Sequence, residues 1–409
     1  MKTQTAIRLF TAAFLAAAAA ETHARVSFFL PERIYAAPGL ECNIYYKDVF
    51  DSVTPQNYAF QTYAKEGRAE LARWCWTPGA KDAGKTVKVV VNAWNDDGIA
   101  ASVTTTVVVA SAPANPSRKL TLALFGDSLT NCRFQDRILA GMREAGFANY
   151  TPVGSRRRDE PGSAAHDGFG GFTCSAFLTR YKVSDEEVAH LQDAAEREQL
   201  KALGMPVKII HDYQRGLLRS PLVAFRNGRK EVDVPAWMAK VNGGNPPDVV
   251  LIELGVNNVF SYTGEADELR ARIRKEVIPG FTSLISALRP HMPEATFAIC
   301  TQPNGCSQDG FAANYGANWN EVQHRKIVFA LNREIVEYVK ACGDSKIELV
   351  PVAQAVDPFY SYIHAELPAH AHSKEKVVRD RNAVHPSAAG GGQMGDAIAA
   401  WLQCRWDNL

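Results

Sequence analysis

The chain has 409 residues, of which 45 are lysine or arginine and 44 are aspartate or glutamate, so the formal net charge is +1. This balance excludes the strong basic field of a nucleic-acid-binding protein and provides no attraction to an anionic surface. The length exceeds that of one ordinary domain, so we expect two domains.

The first 24 residues have the pattern of a secretory signal peptide. Lys2 and Arg8 precede the apolar stretch Leu9 to Ala20, and Ala24 offers a cleavage site. The apolar stretch has roughly 12 residues, fewer than the ~20 of a membrane-spanning helix, and no later segment reaches that length. We therefore expect a secreted or periplasmic protein that has no membrane span once residues 1–24 are removed.

Residues 25–110 are predicted to form a small all-β, immunoglobulin-like sandwich domain. Short runs of alternating apolar residues are separated by turn residues such as Asn95-Asp96-Asp97-Gly98. The predicted strands are Glu41 to Tyr46, Tyr58 to Tyr63, Thr86 to Trp94 and Ala101 to Ala110. Residues 111–117 are predicted to be a linker, because their two prolines cannot continue a strand ladder.

Eight cysteines in an exported chain favour disulfide bonds. Cys42 and Cys75 lie on separate predicted strands of the sandwich, and we expect them to form a bridge between its two sheets. Alternative pairs are Cys300 with Cys306 and Cys342 with Cys404.

Residues 118–409 are predicted to form a parallel sheet with helices on both faces, because strand-length apolar runs alternate with amphipathic stretches. The predicted strands are Lys119 to Phe125, Asp248 to Leu254, Ala295 to Thr301 and Ile347 to Val350. The predicted helices are Glu265 to Leu288, Glu321 to Ala341 and Ser387 to Leu402. Ligands bind such sheets at the carboxyl ends of the strands.

A serine and a histidine stand at positions suited to nucleophilic catalysis. Ser128 follows the first of these strands in Gly126-Asp127-Ser128-Leu129-Thr130, and His385 precedes the last helix in Asn382-Ala383-Val384-His385-Pro386. Acyl transfer needs a nucleophile, a base and donors for the developing oxyanion. The alternative for Ser128 is a turn or a helix N-cap, which Gly-Asp-Ser sequences also favour.

Four sequence blocks occur in a particular order: the Ser128 block, His166 to Thr173, Gly255-Val256-Asn257-Asn258, and the His385 block. Together they resemble the SGNH (GDSL-type) hydrolases over residues 119–404. The resemblance implies a three-layer α/β/α sandwich around a short parallel sheet of flavodoxin-like type.

The resemblance also implies roles for individual residues. Ser128 would be the nucleophile and would donate its N–H to the oxyanion, together with the N–H of Gly171 and the side-chain amide of Asn257. His385 would be the base. Glycine allows close backbone approach to a substrate, and an amide can donate a hydrogen bond while staying neutral.

Two positions depart from the family pattern. Asn258 stands where the third block usually ends in aspartate, which we interpret as a structural substitution. Asn382 stands where the family usually has the aspartate that orients the histidine, and such a replacement costs about 10⁴ in kcat in a serine protease. Three interpretations remain open: Asn382 or a backbone carbonyl orients His385, a shifted acid such as Asp380 does so, or the site has lost its chemistry.

From these observations we predict an exported serine esterase that removes small acyl groups, most plainly O-acetyl, from carbohydrate through an acyl-enzyme. The alternative is a catalytically degenerate carbohydrate-binding protein of the same fold. No cofactor, metal or nucleic-acid partner is predicted, and the expected partner is an acylated carbohydrate. Further alternatives are a cysteine nucleophile, Cys132 or Cys174, and a flap at residues 357–381.

Within that flap, Tyr360, Tyr362 and His364 are candidates to touch the substrate. Trp237 and Phe225 either line the acyl or sugar pocket or belong to the core, and core is the preferred interpretation because large aromatic residues are usually buried.

Overall fold

A computed structural model describes residues 26–158, 160–183, 185–202, 205–226, 229–316 and 319–409. The predicted signal peptide at residues 1–24 lies outside the described residues. Within these ranges, no helix combines the length and the apolar character that a membrane crossing requires.

The N-terminal region forms short strands that pair mainly into two sheets. Its strands are β1 (Ser27–Phe28), β2 (Arg33–Ala36), β3 (Cys42–Tyr45), β4 (Phe50–Asp51), β5 (Ala59–Ala64), β6 (Arg68–Ala69), β7 (Arg73–Trp76), β8 (Thr86–Asn95) and β9 (Gly98–Val109). One sheet has the order β2-β9-β8-β5 and the other has the order β3-β7-β6. All four predicted strands are present, and β7 is the predicted strand that contains Cys75, whereas the short strands β1, β2, β4 and β6 were not predicted. The immunoglobulin-like assignment stays a prediction.

The remaining strands include a central parallel sheet and two hairpins. They are β10 (Leu120–Gly126), β11 (Tyr150–Val153), β12 (Asp167–Gly168), β13 (Val223–Arg226), β14 (Arg229–Val232), β15 (Val249–Glu253), β16 (Thr296–Cys300), β17 (Ile347–Val350), β18 (His364–Pro368) and β19 (Lys376–Asp380). The central sheet has the order β11-β10-β15-β16-β17, and β12 also pairs with β10. All of its pairs are parallel. This is the 2-1-3-4-5 order of flavodoxin-like sheets.

Helices cover both faces of this sheet. The α-helices of the chain are α1 (Tyr46–Val49), α2 (Phe134–Glu144), α3 (Cys174–Thr179), α4 (Asp185–Gln192), α5 (Ala194–Ala202), α6 (Val207–Gln214), α7 (Val234–Asn242), α8 (Val256–Val259), α9 (Ala266–Glu276), α10 (Ile278–Leu288), α11 (Gln308–Tyr315), α12 (Glu321–Cys342) and α13 (Ala388–Arg405). The predicted helix Glu265 to Leu288 is two helices. Pro279 stands at the second position of α10. The first N–H groups of a helix have no partner within the helix, so proline is tolerated there and a new helix begins.

The alternation of side chains along the strands separates two cores. Phe125 and Ile252 face a cluster that includes α9, α10 and α12, whereas Leu124 and Leu251 face a cluster that includes α2 and α13. Successive residues of a strand point to opposite faces, so a strand buried on both faces has an almost continuous apolar sequence. The predicted α/β/α arrangement is therefore confirmed.

The N-terminal region packs directly against the hydrolase-like part. Ala37, Leu40 and Ala110 belong to the same buried cluster as helices α2 and α13. A second contact is polar: the buried Arg325 of α12 donates hydrogen bonds to the carbonyl oxygens of Lys47 at 2.6 Å and Phe50 at 3.5 Å. The two parts therefore share a core as well as a covalent connection.

The disulfide predictions are wrong, because all eight cysteines are free. Cys42 and Cys75 lie on neighbouring strands of one sheet, where Cys42 is opposite Trp76 and Cys75 is opposite Asn43. Directly opposed residues share a face, so the two sulfurs lie on opposite faces of the sheet. The prediction failed because the alternating pattern locates strands but does not tell which strands are paired.

Candidate active site

Three of the four sequence blocks meet at the carboxyl edge of the central sheet. Gly126, the last residue of β10, is in register with Gly168 of β12 on one side and with Glu253 of β15 on the other. Ser128, the Phe169 to Thr173 segment and Asn257 each follow one of these strand ends. Neighbouring parallel strands therefore assemble groups that are far apart in sequence.

The turn that carries Ser128 is held by its neighbours and leaves the serine hydroxyl uncommitted. Ser128 precedes a short 3₁₀ helix, Leu129–Cys132, and its side chain makes no capping hydrogen bond. Asp127 takes that role, because its Oδ1 accepts the N–H of Leu129 at 2.9 Å. Gly126 is required by close packing: a Cβ there would lie 1.9 Å from Thr130 Oγ1. Ser128 therefore stands at the N-cap position of this helix, but its hydroxyl does not cap the helix.

Asn257 connects the first three blocks. Its side-chain Nδ2 donates to Asp127 Oδ2 at 2.7 Å and to the carbonyl oxygen of Phe172 at 3.2 Å. The two acceptors fix the orientation of the amide and direct its Nδ2 at groups of the first and second blocks. The longer bond, to Phe172, is the weaker of the two by geometry and is the one that a stronger acceptor such as an oxyanion would replace.

Two buried carboxyl groups lie beneath the serine turn. Asp127 and Glu253 are both fully buried, and burial raises the pKa of each. The charge of Asp127 raises the pKa of Glu253 further, because two neighbouring carboxylates cannot both ionise cheaply. Asp127 accepts hydrogen bonds from Leu129 and Asn257, which favour its charged form and oppose the effect of burial.

The glycines of the second block lie at the rim of the site. Gly171 has φ of +74° and is exposed, in a turn closed by the bond from the N–H of Phe172 to the carbonyl oxygen of Phe169 at 3.0 Å. Gly170 is the residue packed against the serine, since a Cβ there would lie 3.8 Å from Ser128 Cβ. The backbone at Gly170 therefore lies close to Ser128, and the positive φ of Gly171 is the feature of this segment that favours glycine.

Asn382 and His385 form a compact unit. Asn382 Oδ1 lies 2.9 Å from His385 Nδ1, and it also accepts the backbone N–H groups of His385 at 3.0 Å and Val384 at 3.3 Å. Backbone N–H groups only donate, so the atom that faces them is the oxygen of the amide. His385 Nδ1 must then carry the proton, which leaves Nε2 as the basic nitrogen.

Asp380 does not take part in this unit. Its Oδ2 accepts the N–H of Ser307 at 3.1 Å and the hydroxyl of the same residue. The loop that carries His385 is anchored instead by backbone contacts: Ala383 donates to Asn314 Oδ1 at 2.7 Å and accepts from Cys306 N–H at 2.8 Å. Of the three interpretations of the missing aspartate, the geometry favours orientation by Asn382.

Ser128 and His385 line one surface cleft of about 400 Å³. Its other lining residues are Cys132, Arg133, Arg215, Ile363, Asn382, Pro386, Ser387 and Ala388. Burial lowers the pKa of His385, and the positive charge of Arg215 lowers it further. Arg215 and Ile363 were not predicted as site residues, because Arg215 lies in the long segment between the second and third blocks, where no motif marks it.

The thiol alternative is not supported, and of the segment 357–381 predicted as a flap the cleft is lined by Ile363 and not by the named candidates. Tyr362 is a core residue with 1% exposure, and neither Tyr360 nor His364 lines the cleft, whereas Ile363 does. Burial raises the pKa of Cys132 to about 12 and that of Cys174 as well, so neither thiol is poised to ionise.

The other candidates of the sequence analysis lie away from the cleft. Trp237 is buried and donates through Nε1 to Asp167 at 3.0 Å, while Phe225 is exposed and stacks on Tyr181. Among the described residues, no three His, Cys, Asp or Glu side chains are grouped as a metal site would require.

The fold and this cleft define an α/β/α protein with a serine, a histidine and an amide at the carboxyl edge of its sheet. The family described as GDSL-like lipase/acylhydrolase matches residues 122–398. The chain belongs to this family, and the resemblance seen in the sequence is confirmed.

Several solved structures are similar to this chain at low identity. A carbohydrate esterase family 3 protein from Talaromyces cellulolyticus is 16% identical, with 69% of this chain and 96% of that chain covered and a TM-score of 0.37. A family 3 carbohydrate esterase from Clostridium thermocellum is 14% identical, with 71% and 96% covered and a TM-score of 0.37. A family two carbohydrate esterase from the same organism, in complex with cellohexaose, is 15% identical, with 94% and 98% covered and a TM-score of 0.35. No curated protein matches the chain.

Proposed function

We propose that this protein is an exported serine esterase that removes small acyl groups, foremost O-acetyl, from carbohydrate. The observation that carries the proposal is the Asn382–His385 unit, which keeps Nε2 of His385 basic in the cleft that Ser128 also lines. A degenerate binding site would have no need of an imidazole held in this tautomer.

The proposed mechanism uses only groups of this chain. His385 Nε2 takes the proton of Ser128, and the serine Oγ attacks the ester carbon. The N–H groups of Ser128 and Gly171 and the amide of Asn257 donate to the oxyanion. His385 then returns the proton to the leaving alcohol, and water, activated by the same nitrogen, cleaves the acyl-enzyme. Asn382 holds the imidazole throughout but adds no negative charge.

The character of the cleft supports a small acyl group and a polar alcohol. Among the described residues that line it, Ile363 is the one large apolar side chain, while arginine, serine, asparagine and histidine supply polar groups. A long acyl chain needs a continuous apolar surface to leave water, at roughly 0.8 kcal/mol per CH₂, and this cleft does not provide one. The predicted signal peptide adds that the substrate is met outside the cytoplasm.

Release of acetate from O-acetylated polysaccharides tests this proposal directly. We expect the enzyme to release acetate from acetylated xylan, pectin or mannan, and to hydrolyse p-nitrophenyl acetate faster than p-nitrophenyl octanoate. Glycan binding without any release of acetate would instead support the degenerate binding protein. Faster hydrolysis of the octanoate would argue for a lipid ester.

The pH dependence should reflect the environment of His385. Because burial and Arg215 lower its pKa, His385 stays neutral and basic at a lower pH than an ordinary imidazole, whose pKa is 6.5. We therefore expect kcat/KM to remain near its maximum at pH values somewhat below 6.5. It should decrease only when the pH falls through the lowered pKa of His385. Measurement of kcat/KM for p-nitrophenyl acetate from pH 4 to 9 checks this, and an acid limb above 6.5 would contradict it.

Substitutions of Asn382 should distinguish the effect of orienting the His385 imidazole from the effect of a negative charge beside it. Asn382→Ala removes the acceptor for Nδ1–H and for two backbone N–H groups, so we expect kcat/KM to fall by roughly 10²-fold or more. Asn382→Asp keeps the acceptor and adds a negative charge, so kcat/KM should rise by up to about tenfold and the acid limb should move to higher pH. Ser307→Ala, which frees Asp380, serves as the control and should leave both unchanged. Equal activity of Asn382→Ala and wild type would contradict the assigned orientation.

A further inference from the structure

Arg215 is an unpaired cation in the cleft. It is exposed and lines the same cleft as Ser128 and His385. In the part of the chain that the structure describes, its guanidinium has no hydrogen-bond or ion-pair partner. The other arginine of the cleft, Arg133, differs in this respect because its Nη2 pairs with Glu160 at 2.8 Å. The guanidinium of Arg215 is therefore free to bind a group of a molecule in the cleft.

The backbone that carries Arg215 is fixed against the second block. Arg156 donates through Nη1 to the carbonyl oxygen of Gly168 at 2.6 Å and through Nη2 to the carbonyl oxygen of Arg215 at 3.2 Å. Its guanidinium also lies 4.8 Å from the ring centroid of Phe169. Arg156 therefore links the C-terminal end of helix α6 to the segment that contains Gly170 and Gly171. This link fixes the backbone position of Arg215.

Arg215 and Ser128 flank the same glycine. A Cβ placed on Gly170 would lie 3.4 Å from Arg215 Nη2 and 3.8 Å from Ser128 Cβ, so these two atoms are separated by no more than the sum of those distances. A group bound by Arg215 is thus within one sugar unit of an ester placed on the serine. Any side chain at position 170 would fill the space between them.

The charge of the cleft indicates that a group bound by Arg215 is negatively charged. None of the residues that line it carries a carboxylate, and Asn382 stands where the family usually has aspartate. The free positive charge of the cleft therefore comes from Arg215, because Glu160 offsets the charge of Arg133. Guanidinium groups match carboxylates with two parallel hydrogen bonds, an interaction stronger than a neutral hydrogen bond. A neutral sugar offers Arg215 only hydroxyl acceptors, which form weaker hydrogen bonds than a carboxylate does.

We propose that Arg215 binds a carboxylate of the substrate, so that the preferred substrates are acyl esters of acidic carbohydrates such as uronic acid residues. This rests on the proposed function and narrows its substrate class. Arg215 then acts as a specificity-determining residue, while the acyl transfer itself is carried out by Ser128 and His385.

A pair of substrates that differ only in charge tests the proposal. The probes are mono-O-acetylated methyl galactopyranosiduronates, as the 2-O and 3-O isomers, and the same compounds with the C6 carboxylate replaced by a carboxamide. We expect kcat/KM for the acid to exceed that for the amide by about tenfold or more, mainly through KM. The preference should shrink between 0.05 and 0.5 M salt, because exposed charges are screened.

Variants of Arg215 and Arg133 test which residue causes the preference for the acid over the amide. Arg215→Gln should bring the ratio of acid to amide close to one, and Arg215→Lys should retain part of it. Arg133→Gln, which alters the already paired arginine, should retain the preference. A wild-type ratio near one, or an equal loss on both substrates in Arg215→Gln, would overturn the role of Arg215.

The two proposals fail in different ways. Turnover of p-nitrophenyl acetate and of the amide without preference for the acid overturns the carboxylate site alone. Turnover of p-nitrophenyl acetate with neither sugar cleaved also overturns it. No turnover of any acetyl ester overturns the proposed function, and the carboxylate site with it.

Discussion

Ser128→Ala is expected to reduce hydrolysis of p-nitrophenyl acetate to the rate of the uncatalysed reaction. The variant removes the only proposed nucleophile, and in serine hydrolases such a loss lowers kcat by on the order of 10⁴- to 10⁶-fold. The fold should be unaffected, because the Ser128 side chain makes no capping hydrogen bond and the turn is held by Asp127 instead. Steady-state kinetics, with circular dichroism to confirm folding, measure the effect.

Cys132→Ser provides a matched control for this variant. Cys132 lines the same cleft, but burial raises its pKa to about 12, so it should contribute no nucleophile. We expect Cys132→Ser to keep at least half of the wild-type kcat. Full activity in Ser128→Ala together with loss in Cys132→Ser would show that the thiol, and not the serine, performs the reaction.

Arg325→Met is expected to lower the free energy of unfolding of the whole chain by about 3–5 kcal/mol, the cost of leaving a buried polar arrangement without its charged partner. Arg325 is 3% exposed and donates to the carbonyl oxygens of Lys47 and Phe50. It also faces the buried Asp48, whose pKa burial raises to about 7 although Arg325 opposes the rise. Removal of the arginine takes the donor from the Lys47 carbonyl oxygen and the nearby positive charge from Asp48, whereas Phe50 O still accepts the N–H of Ser52 at 3.0 Å and Asp48 Oδ1 still accepts from Asn304 at 3.2 Å.

Urea unfolding at pH 7 measures this loss. Lys326→Met is the control, since Lys326 pairs at 2.9 Å with Glu265, whose side chain is 80% exposed, and such surface pairs contribute about 0–1 kcal/mol. We expect one cooperative transition for both variants, because the two parts share a buried cluster. Separate unfolding of residues 26–110 would show instead that the N-terminal region is an independent module.

The sequence predicted the layered fold and the approximate position of the site where apolar periodicity and short motifs occur together. Strands β10, β15 and β16 are almost continuous apolar runs, as expected for a parallel sheet covered on both faces, so the layered architecture was predictable. The blocks that contain Ser128, Asn257 and His385 lie directly after strands or before a helix, so their approximate position at the sheet edge was predictable as well.

Features that depend on tertiary contacts were not predictable. The short strands β1, β2, β4 and β6 show no alternation long enough to detect, and strand pairing decides where Cys42 and Cys75 face. Asn382 and Asp380 were both open as partners of His385 until the Oδ1 to Nδ1 distance of 2.9 Å separated them. Arg215 lies in no recognisable motif. Its position at the cleft depends on a tertiary hydrogen bond from Arg156 to its carbonyl oxygen, which the sequence does not reveal.

Covalent labelling with a fluorophosphonate, read by intact mass and peptide mapping, tests the central claim most directly. An activated serine attacks the phosphorus and releases fluoride, so we predict a single adduct on Ser128 in the wild type. The adduct should be absent in Ser128→Ala and should form at least a hundredfold more slowly in His385→Ala, which lacks the base. An unlabelled wild-type protein, or an adduct whose rate does not depend on His385, would contradict a Ser128–His385 esterase.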